Sequence, residues 1–599
     1  MKGSKNWFAF GLAVVAFLAP LKFGAPVMLQ SHVQPPVNIT EWLFYSWPNE
    51  LAVILVFTGF IWLVLDPQRM LARVDLLFVL PLMFLLTQAL AAPTSICRQT
   101  TIDTLMLFAA CALLFYVGAW YVRDGAATAR IFGGLALATL LVCVLGLEQH
   151  FGGLEESRKH AAMYMDLSKV PKDFLLRMTS KRVFASFVYP NALAGFLVIA
   201  FAPTLAWIGV RTRGWDRRVK WPTLVFAASA MISCLILTGS RGGFAAFAAM
   251  AFTTLWCGIS KFGRRLAAAV AGLVVILASV FLFGEHRGFM HLGTQSLEAR
   301  TDYWRGAIAI IRDHPWVGSG PGTFGSIYPK YKTAQTEEAQ AAHNNYLQIW
   351  SDSGVAAFIA FALLWVVAVR DAFRLTRRRK GDAAAIAICG ALVGWMVHGL
   401  VDFDLYVPGV VLPTFILLGC LQGLKELPRT DMVTPRRRAN WLVGAVCVAI
   451  LSAVLWVEGR ALAAGCASAQ AQALRNINPL GSLEEAKRAA KLAPWNPFLQ
   501  SGMGEIAFRA GQTEEAIAAY HEAIADDPYR ASCWWHLAET RRAVYGVDKE
   551  TVEILRKAVE LNPTEMTYRN ALAAAEKSVR QAPPTLLESS PTKGSGSTP

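Results

Sequence analysis

Long apolar stretches separated by short polar connectors run through most of this sequence, and they limit the folds open to the chain. A helix needs about twenty mostly apolar residues to cross the hydrocarbon core of a bilayer. About thirteen stretches approach that length, beginning near Trp7, Leu51, Val74, Ile102, Ile131, Phe187, Pro222, Phe244, Leu266, Gly354, Ala384, Val407 and Trp441. The chain is 55% hydrophobic and 17% charged, whereas a soluble domain is about one quarter charged. The sequence therefore predicts an all-α, polytopic helical membrane protein with about 12–13 transmembrane helices.

The positive charges are concentrated in the connectors on one side of these predicted helices. With Met1 in the cytoplasm, strongly basic connectors such as RTRGWDRRVK and RDAFRLTRRRKGD fall on the cytoplasmic side. The opposite connectors, TGSRGG and VDFDLYVP among them, contain few Lys or Arg residues. This asymmetry follows the positive-inside rule, which accounts for the net charge of +15 without nucleic-acid binding. It predicts that residues 150–185, a large loop at about 285–353 and everything after Gly459 lie outside the cytoplasm.

A repeat is visible after the last predicted span. Three prolines and three alanines recur at intervals of 34 and 35 residues: Pro494, Pro528 and Pro563, and Ala489, Ala523 and Ala558. The pattern resembles tetratricopeptide repeats, in which small residues allow two antiparallel helices to pack closely. We predict a multi-span membrane domain over 1–459, a tetratricopeptide α-solenoid over 460–580 and a disordered tail over 581–599. The solenoid is interpreted either as a docking surface for a protein partner or as a spacer or self-association module.

Guanidinium and imidazole side chains lie close to the outer ends of several predicted helices, at Arg182, Arg241, Arg300 and His343. Arginine suits bidentate capture of phosphate oxygens, and it stays charged under ordinary conditions. A histidine accepts a hydroxyl proton near neutral pH. A lipid-linked diphosphate sugar would need both kinds of group. Taken singly, each has an ordinary alternative: an arginine can anchor lipid headgroups, and a histidine can cap or pack a helix.

Other polar features are interpreted as structural. The glycine-rich segment GSGPG follows no strand and opens no nucleotide fold, so it is interpreted as a turn. His286 and His291 lack partners at metal-ligand spacing, and we predict no metal site and no cofactor. His398, Asp402 and Asp404 lie at the outer end of a predicted span, where ionisable groups are candidates for function. A structural role for these three is equally compatible with an interfacial position.

Four motifs in a fixed order carry a resemblance to a known family: RVFASFVYPN, SRGG, Arg300-x-x-x-Trp304 followed by HPWVGSGPGTF, and HNNYLQIWSDSG. Together they resemble the bacterial O-antigen ligase and polymerase superfamily. The resemblance implies an undecaprenyl-diphosphate-linked glycan as donor, transfer with inversion on the outer face of the inner membrane, and no metal. By motif, the functional arginines and histidine of the ligases correspond to Arg182, Arg300 and His343. Arg241 is a further candidate for binding the diphosphate.

The resemblance predicts a membrane glycosyltransferase of the O-antigen ligase type, with its active site and repeats on the periplasmic side. The chain departs from the ligase pattern at Ala357 and in having the C-terminal repeats, which leaves the acceptor open. Lipid A core, a growing polysaccharide and a protein hydroxyl are the alternatives, so a polymerase or a protein oligosaccharyltransferase is also compatible. A lipid-linked sugar transporter is the non-enzymatic alternative. It would favour charges near span midpoints, whereas these charges lie at helix ends.

Overall fold

The computed structural model describes residues 2–33, 35–36, 38–60, 75–155, 181–259, 291–333, 336, 338–425 and 440–581. The predicted span near Leu266, most of the segment 150–185 and residues 582–599 of the predicted tail fall outside these residues. The described chain divides into two compact units. The first contains the described residues of Met1–Ser95, Thr100–Gly325 and Ala339–Gly465. The second contains those of Ile96–Gln99, Ser326–Glu338 and Cys466–Pro599.

All regular structure within the described ranges is helical. In chain order the described α-helices are α1 (Lys2–Lys22), α2 (Ile39–Phe44), α3 (Asn49–Phe60), α4 (Leu76–Ala91), α5 (Arg98–Tyr121), α6 (Gly125–Glu148), α7 (Pro190–Arg211), α8 (Arg217–Thr238), α9 (Arg241–Gly258), α10 (His291–Asp313), α11 (Phe324–Ile327), α12 (Asn345–Arg378), α13 (Ala383–His398), α14 (Pro408–Leu424), α15 (Asn440–Leu474), α16 (Pro479–Leu492), α17 (Pro497–Arg509), α18 (Thr513–Asp526), α19 (Ala531–Tyr545), α20 (Lys549–Leu561) and α21 (Met566–Gln581). Short 3-10 turns occur at Val27–His32, Ala92–Thr94, Tyr328–Lys330 and Asp404–Tyr406, and a π turn at Gln149–Gly153. The prediction of a helical chain is confirmed.

Several of these helices have the length and composition of membrane spans. In the described part of the chain, 7 helices are long and apolar enough to cross a membrane: Leu76–Thr94, Arg98–Tyr121, Gly125–Gly153, Pro190–Arg211, Arg217–Thr238, Asn345–Arg378 and Gly444–Leu474. Shorter apolar helices occur at Trp7–Lys22, Asn49–Phe60, Ala383–His398 and Pro408–Leu424. These helices agree with a polytopic membrane protein. The count of 12–13 spans stays a prediction.

Small residues bring the helix backbones of the first unit close together. A Cβ atom on Gly134 of α6 would lie 2.2 Å from the carbonyl oxygen of Ala13 in α1. A Cβ on Gly118 of α5 would lie 2.9 Å from the Cα of Gly419 in α14. Helices in a bilayer associate through this kind of close packing, because the lipid offers no hydrophobic driving force between them. These contacts bring α1 close to α6, and α5 close to α14, within the first unit.

Helix α12 has a break in its N-terminal part. Gly354 has φ +78° and ψ −179°, a conformation essentially restricted to glycine. The GSGPG turn packs against this break. The Ser319 amide donates to the Ser351 carbonyl at 3.0 Å, and the Gly320 amide donates to the Asp352 carbonyl at 2.7 Å. The glycine-rich turn thus satisfies carbonyls that the broken helix leaves open, in line with its interpretation as a turn.

Replacing Gly354 with alanine is expected to lower the free energy of unfolding by about 3 kcal/mol, from backbone strain and steric overlap together. The new Cβ would lie 2.0 Å from the carbonyl oxygen of Trp316. Thermal unfolding of the detergent-purified protein measures the change. Gly381→Ala is the matched control, since Gly381 has φ +77° but no atom within 4 Å of its Cβ position. An equal loss in both variants would contradict a role for the contact with Trp316.

The second unit is built mainly from helices α16 to α21, each packed against the next. Its core contains small and aromatic residues of the sequence repeat, including Ala516, Tyr520 and Ala523. A Cβ on Gly504 would lie 2.9 Å from the ring of Tyr520, so the glycine provides room for the aromatic side chain. The tetratricopeptide assignment and the predicted domain boundaries stay predictions.

Candidate active site

A buried carboxylate, Asp402, joins two of the predicted site residues. Its Oδ1 atom lies 3.4 Å from Nδ1 of His343, and its Oδ2 atom lies 3.9 Å from Nη2 of Arg300. The backbone amide of Phe403 donates to Oδ1 at 2.8 Å. The Asp402 side chain is only 4% exposed, whereas that of His343 is 25% exposed. The histidine ring is therefore the more accessible member of the pair.

The helix α10 presents one face to this carboxylate. Arg300 and Tyr303 are separated by one helical turn, and residues further along the same face, Ala307 and Ile310, are fully buried. The ring of Tyr303 stacks on the ring of His343 with centroids 5.6 Å apart and an interplanar angle of 25°. One face of α10 thus supplies both a guanidinium group and an aromatic platform for the imidazole.

The imidazole of His343 also contacts the loop before α14. The ring of Phe403 meets it edge-on, with centroids 4.7 Å apart. His343 itself has φ +49°, in the left-handed region that non-glycine residues seldom adopt. Its backbone places it just before Asn344, whose side chain caps the N-terminus of α12. Residues with strained backbone conformations cluster at functional sites.

The side chain of Asn345 holds the Asp402 loop against the start of α12. The backbone N–H of Asn345 donates to the Gly399 carbonyl at 2.8 Å. Its side-chain oxygen accepts from the Leu405 amide at 3.3 Å. The two bonds bracket the loop on either side of Asp402. His343 and Asn345, two residues apart, therefore have separate tasks: the imidazole is partly exposed, and Asn345 is fully buried.

The segment that carries Arg182 is fixed by the end of helix α6 and by α8. The side-chain oxygen of Gln149 accepts from the Ala185 amide at 2.8 Å, and its amide donates to the Ala185 carbonyl at 2.9 Å. The Val183 amide donates to the Leu237 carbonyl at 3.1 Å. Arg182 is thus held on a short, well-anchored stretch of backbone.

The guanidinium of Arg182 lies within the electrostatic reach of the other site residues. Its Nε donates to the Thr238 carbonyl at 2.6 Å, and its Nη2 donates to Oδ1 of Asn191 at 2.7 Å. Burial, reinforced by the positive charge of Arg300, lowers the pKa of Arg182 to about 10, while Asp402 opposes the shift. Two arginines that disfavour each other's charge form a site that an anion would stabilise.

The carboxylate keeps its negative charge in this setting. Burial by itself would raise the pKa of Asp402. The contact with His343 and the charge of Arg300 outweigh burial and hold the pKa of Asp402 below its ordinary value. Asp402 is therefore anionic at neutral pH, and its charge offsets one of the two positive charges of Arg182 and Arg300.

The fourth predicted residue, Arg241, opens helix α9 directly after the capping residue Ser240. A Cβ on the following Gly242 would lie 2.6 Å from Cγ2 of Val401. The SRGG turn therefore packs against the loop that carries Asp402. Arg241 is exposed, which places it at the rim of the cluster and not in its centre.

Two residues of this cluster were not among the predicted site residues. In the sequence, Asp402, His398 and Asp404 were interpreted as either functional or structural, so Asp402 was not selected as a site residue. His398 and Asp404 pair with each other at 2.5 Å in a fully buried position. Tyr303 carries no sequence pattern of its own. Arg305, by contrast, has a side chain 77% exposed and pairs with Asp302 on the opposite face of α10.

Comparison with known families bears on the same part of the chain. Residues 226–362 match the family model Wzy_C, described as O-antigen ligase. This match covers less than half of the chain, and no curated protein shows a significant match. The O-antigen ligase segment contains Arg241, Arg300 and His343, whereas Arg182 and Asp402 lie outside it. The match supports a glycan-transfer function of the ligase family in a membrane glycosyltransferase-type enzyme, with lipid-linked glycan and glycan acceptor as partners.

No group of three or more His, Cys, Asp or Glu side chains suited to a metal ion occurs among the described residues. His286 lies outside those residues. The metal-independent mechanism implied by the resemblance stays a prediction.

Proposed function

We propose that the protein transfers a glycan from an undecaprenyl-diphosphate carrier to an acceptor hydroxyl on the outer face of the inner membrane, as an O-antigen ligase does. One observation carries this proposal. Arg300 and His343 meet at a single buried carboxylate, Asp402, within reach of the charge of Arg182. The O-antigen ligase match over residues 226–362 supports the same class of reaction.

The two arginines are proposed to bind the diphosphate. Arginine presents a planar fork of N–H donors that matches phosphate oxygens bidentately. Without a ligand, Arg182 and Arg300 repel each other, and burial disfavours their positive charge. A bound diphosphate would offset both unfavourable effects. Negative charge grows on the diphosphate as the glycosidic bond breaks, and fixed cations stabilise that change without reorganising. Arg241, at the rim, is proposed as an additional contact for the donor.

His343 is proposed to act as general base, with Asp402 as its positioning residue. When the Nδ1–H group of His343 donates a hydrogen bond to Asp402, the lone pair of Nε2 is left available for an acceptor hydroxyl. The stacked ring of Tyr303 and the edge contact of Phe403 restrict how the imidazole can rotate. A base oriented by a carboxylate is a recurring arrangement in nucleophile activation.

The proposed step breaks one bond and forms one bond. The acceptor oxygen attacks the anomeric carbon, and the bond from that carbon to the diphosphate oxygen breaks with inversion. The hydroxyl proton passes to Nε2 of His343, and the electron pair leaves with the undecaprenyl diphosphate. Arg182 and Arg300 neutralise that leaving group. The isoprenoid tail would lie among the apolar helices.

The direct test is a transfer assay with the purified full-length protein. The donor is a polyprenyl-diphosphate oligosaccharide, and the acceptors are lipid A core, a second lipid-linked oligosaccharide and a hydroxyl-bearing protein. Release of polyprenyl diphosphate with appearance of the glycan on one acceptor is the expected result. A folded protein that releases no polyprenyl diphosphate with any of the three acceptors would overturn the proposal. The glycosylated acceptor distinguishes a ligase from a polymerase or a protein transferase.

Asp402→Asn is expected to lower kcat by about 10- to 100-fold, because the imidazole loses its charged positioning partner. The donor KM should stay the same or fall, since Arg300 would no longer share its charge with a carboxylate. Steady-state kinetics in the transfer assay measure both constants. The matched control is Asp302→Asn, which removes a partly exposed carboxylate, paired with Arg305, from the same helix as Arg300. A raised KM with unchanged kcat would contradict the positioning role.

A further inference from the structure

The second unit of the fold contains a short segment from far upstream in the sequence. The described residues of Ser326–Glu338 belong to this unit together with the C-terminal helices. The segment begins two residues after Phe324 and ends five residues before His343. It is therefore the stretch of chain that leads into the proposed catalytic histidine.

Two residues at equivalent positions of the sequence repeat bind this segment. Asp527 and Asn562 are 35 residues apart, each follows the last residue of a helix, and each precedes a proline of the repeat. Their backbone amides make the same capping bond, from Asp527 to the Ala523 carbonyl and from Asn562 to the Ala558 carbonyl. The side chains of both residues are thus placed alike by α18 and α20.

Each of these side chains contacts one end of the upstream segment. The hydroxyl of Ser326 donates to Oδ2 of Asp527 at 3.4 Å. Nδ2 of Asn562 donates to Oε1 of Glu338 at 2.9 Å. Asp527 is fully buried, and Asn562 is only 3% exposed. Buried polar groups are costly without partners. The segment supplies one partner to each of these side chains, in addition to the Arg530 guanidinium, which lies 3.5 Å from Asp527.

Residues in the middle of the segment are also buried or in contact with the second unit. Tyr328 is fully buried. The ammonium group of Lys330 lies over the ring of Tyr529, 5.9 Å from its centroid. At the equivalent position of the first repeat, Ala493 replaces Asp527 and Asn562 and has no polar side chain. The binding groups are therefore specific to the second and third repeats.

We propose that the turns at Asp527 and Asn562 bind the Ser326–Glu338 segment as an intramolecular ligand and thereby position the chain that leads to His343. The C-terminal helices then act on catalysis from within the same molecule. The part of this inference that concerns His343 rests on the proposed function, whereas the binding of the segment does not.

The test replaces the neutral partner of Glu338 with an acid. Asn562→Asp sets two carboxylates against each other, and the turn tolerates an acid because Asp527 occupies the equivalent position. Hydrogen exchange of the amides in 326–333, measured in the full-length protein, is expected to become about tenfold faster. Adding Glu338→Gln restores a donor–acceptor pair and should return most of the protection. Glu560→Gln, on the same helix α20 but paired with Lys557, is the matched control and should leave exchange unchanged.

The outcomes separate the two parts of the inference. Unchanged exchange of 326–333 in a folded Asn562→Asp variant overturns the binding. Faster exchange with full glycan transfer overturns the positioning of His343. Faster exchange with slower transfer, both reversed by Glu338→Gln, supports the whole inference. If the unaltered protein transfers no glycan, the exchange measurements still test the binding by themselves.

Discussion

Arg300→Ala is expected to reduce kcat for glycan transfer by about 100- to 1,000-fold, the usual effect of losing one donor that stabilises a developing anion. Arg300 is the guanidinium that contacts Asp402 and whose charge reaches Arg182. Without it, the leaving diphosphate would lose one of its two proposed cations. Transfer from a polyprenyl-diphosphate oligosaccharide, measured at saturating donor and acceptor, gives the change in kcat.

The same helix provides a control for this substitution. Arg305 lies five residues further along α10, with a side chain 77% exposed and paired with Asp302. Arg305→Ala should leave kcat within about twofold of the unaltered protein, because an exposed ion pair contributes little. Arg300→Lys keeps the positive charge but loses the planar guanidinium, so its kcat should lie between those of Arg300→Ala and Arg305→Ala. Equal activity of Arg300→Ala and Arg305→Ala would remove Arg300 from the proposed site.

His343→Asn is expected to lower kcat by about 100- to 10,000-fold, the range for losing a general base. Asparagine suits this position because it tolerates positive φ better than most residues, and His343 has φ +49°. The variant should therefore keep its fold and its capacity to bind the donor. Single-turnover transfer separates the chemical step from donor binding, which direct binding of a labelled polyprenyl diphosphate measures.

The control for the histidine is His150→Asn, which changes an exposed histidine at the end of α6. Its transfer rate should match that of the unaltered protein. A His343→Asn variant that binds donor and still transfers glycan at full rate would show that another group accepts the proton. Loss of donor binding together with transfer would instead indicate a role for His343 in holding the substrate.

Much of the helical architecture is readable in the sequence, because hydrophobic length and the placement of glycine and proline act locally. The apolar stretches predicted near Ile102, Ile131 and Pro222 correspond to α5, α6 and α8. Each is long enough that its backbone groups must be satisfied within the segment, which in a bilayer requires a helix. The Gly354 break was not predicted. Its conformation depends on the Trp316 carbonyl and on a turn some thirty residues upstream.

The site shows the same division between local and long-range information. Arg300 and His343 can be selected from the sequence as candidates because guanidinium and imidazole groups suit a diphosphate donor and an acceptor hydroxyl. Their meeting at Asp402 could not be predicted, since the three residues come from separate segments of chain. Whether a carboxylate pairs with them depends on a few ångströms of separation, which no spacing in the sequence encodes.

What the sequence by itself determined is the helical class, the apolar stretches and the chemical types of the candidate site residues. Only the tertiary structure decided that Asp402 contacts both His343 and Arg300, and that Asp527 and Asn562 bind the segment before His343. The reason is physical: helix formation in an apolar stretch is governed by neighbouring residues along the chain. Electrostatic pairing and hydrogen bonding act between atoms within a few ångströms, wherever the packing of helices brings those atoms together.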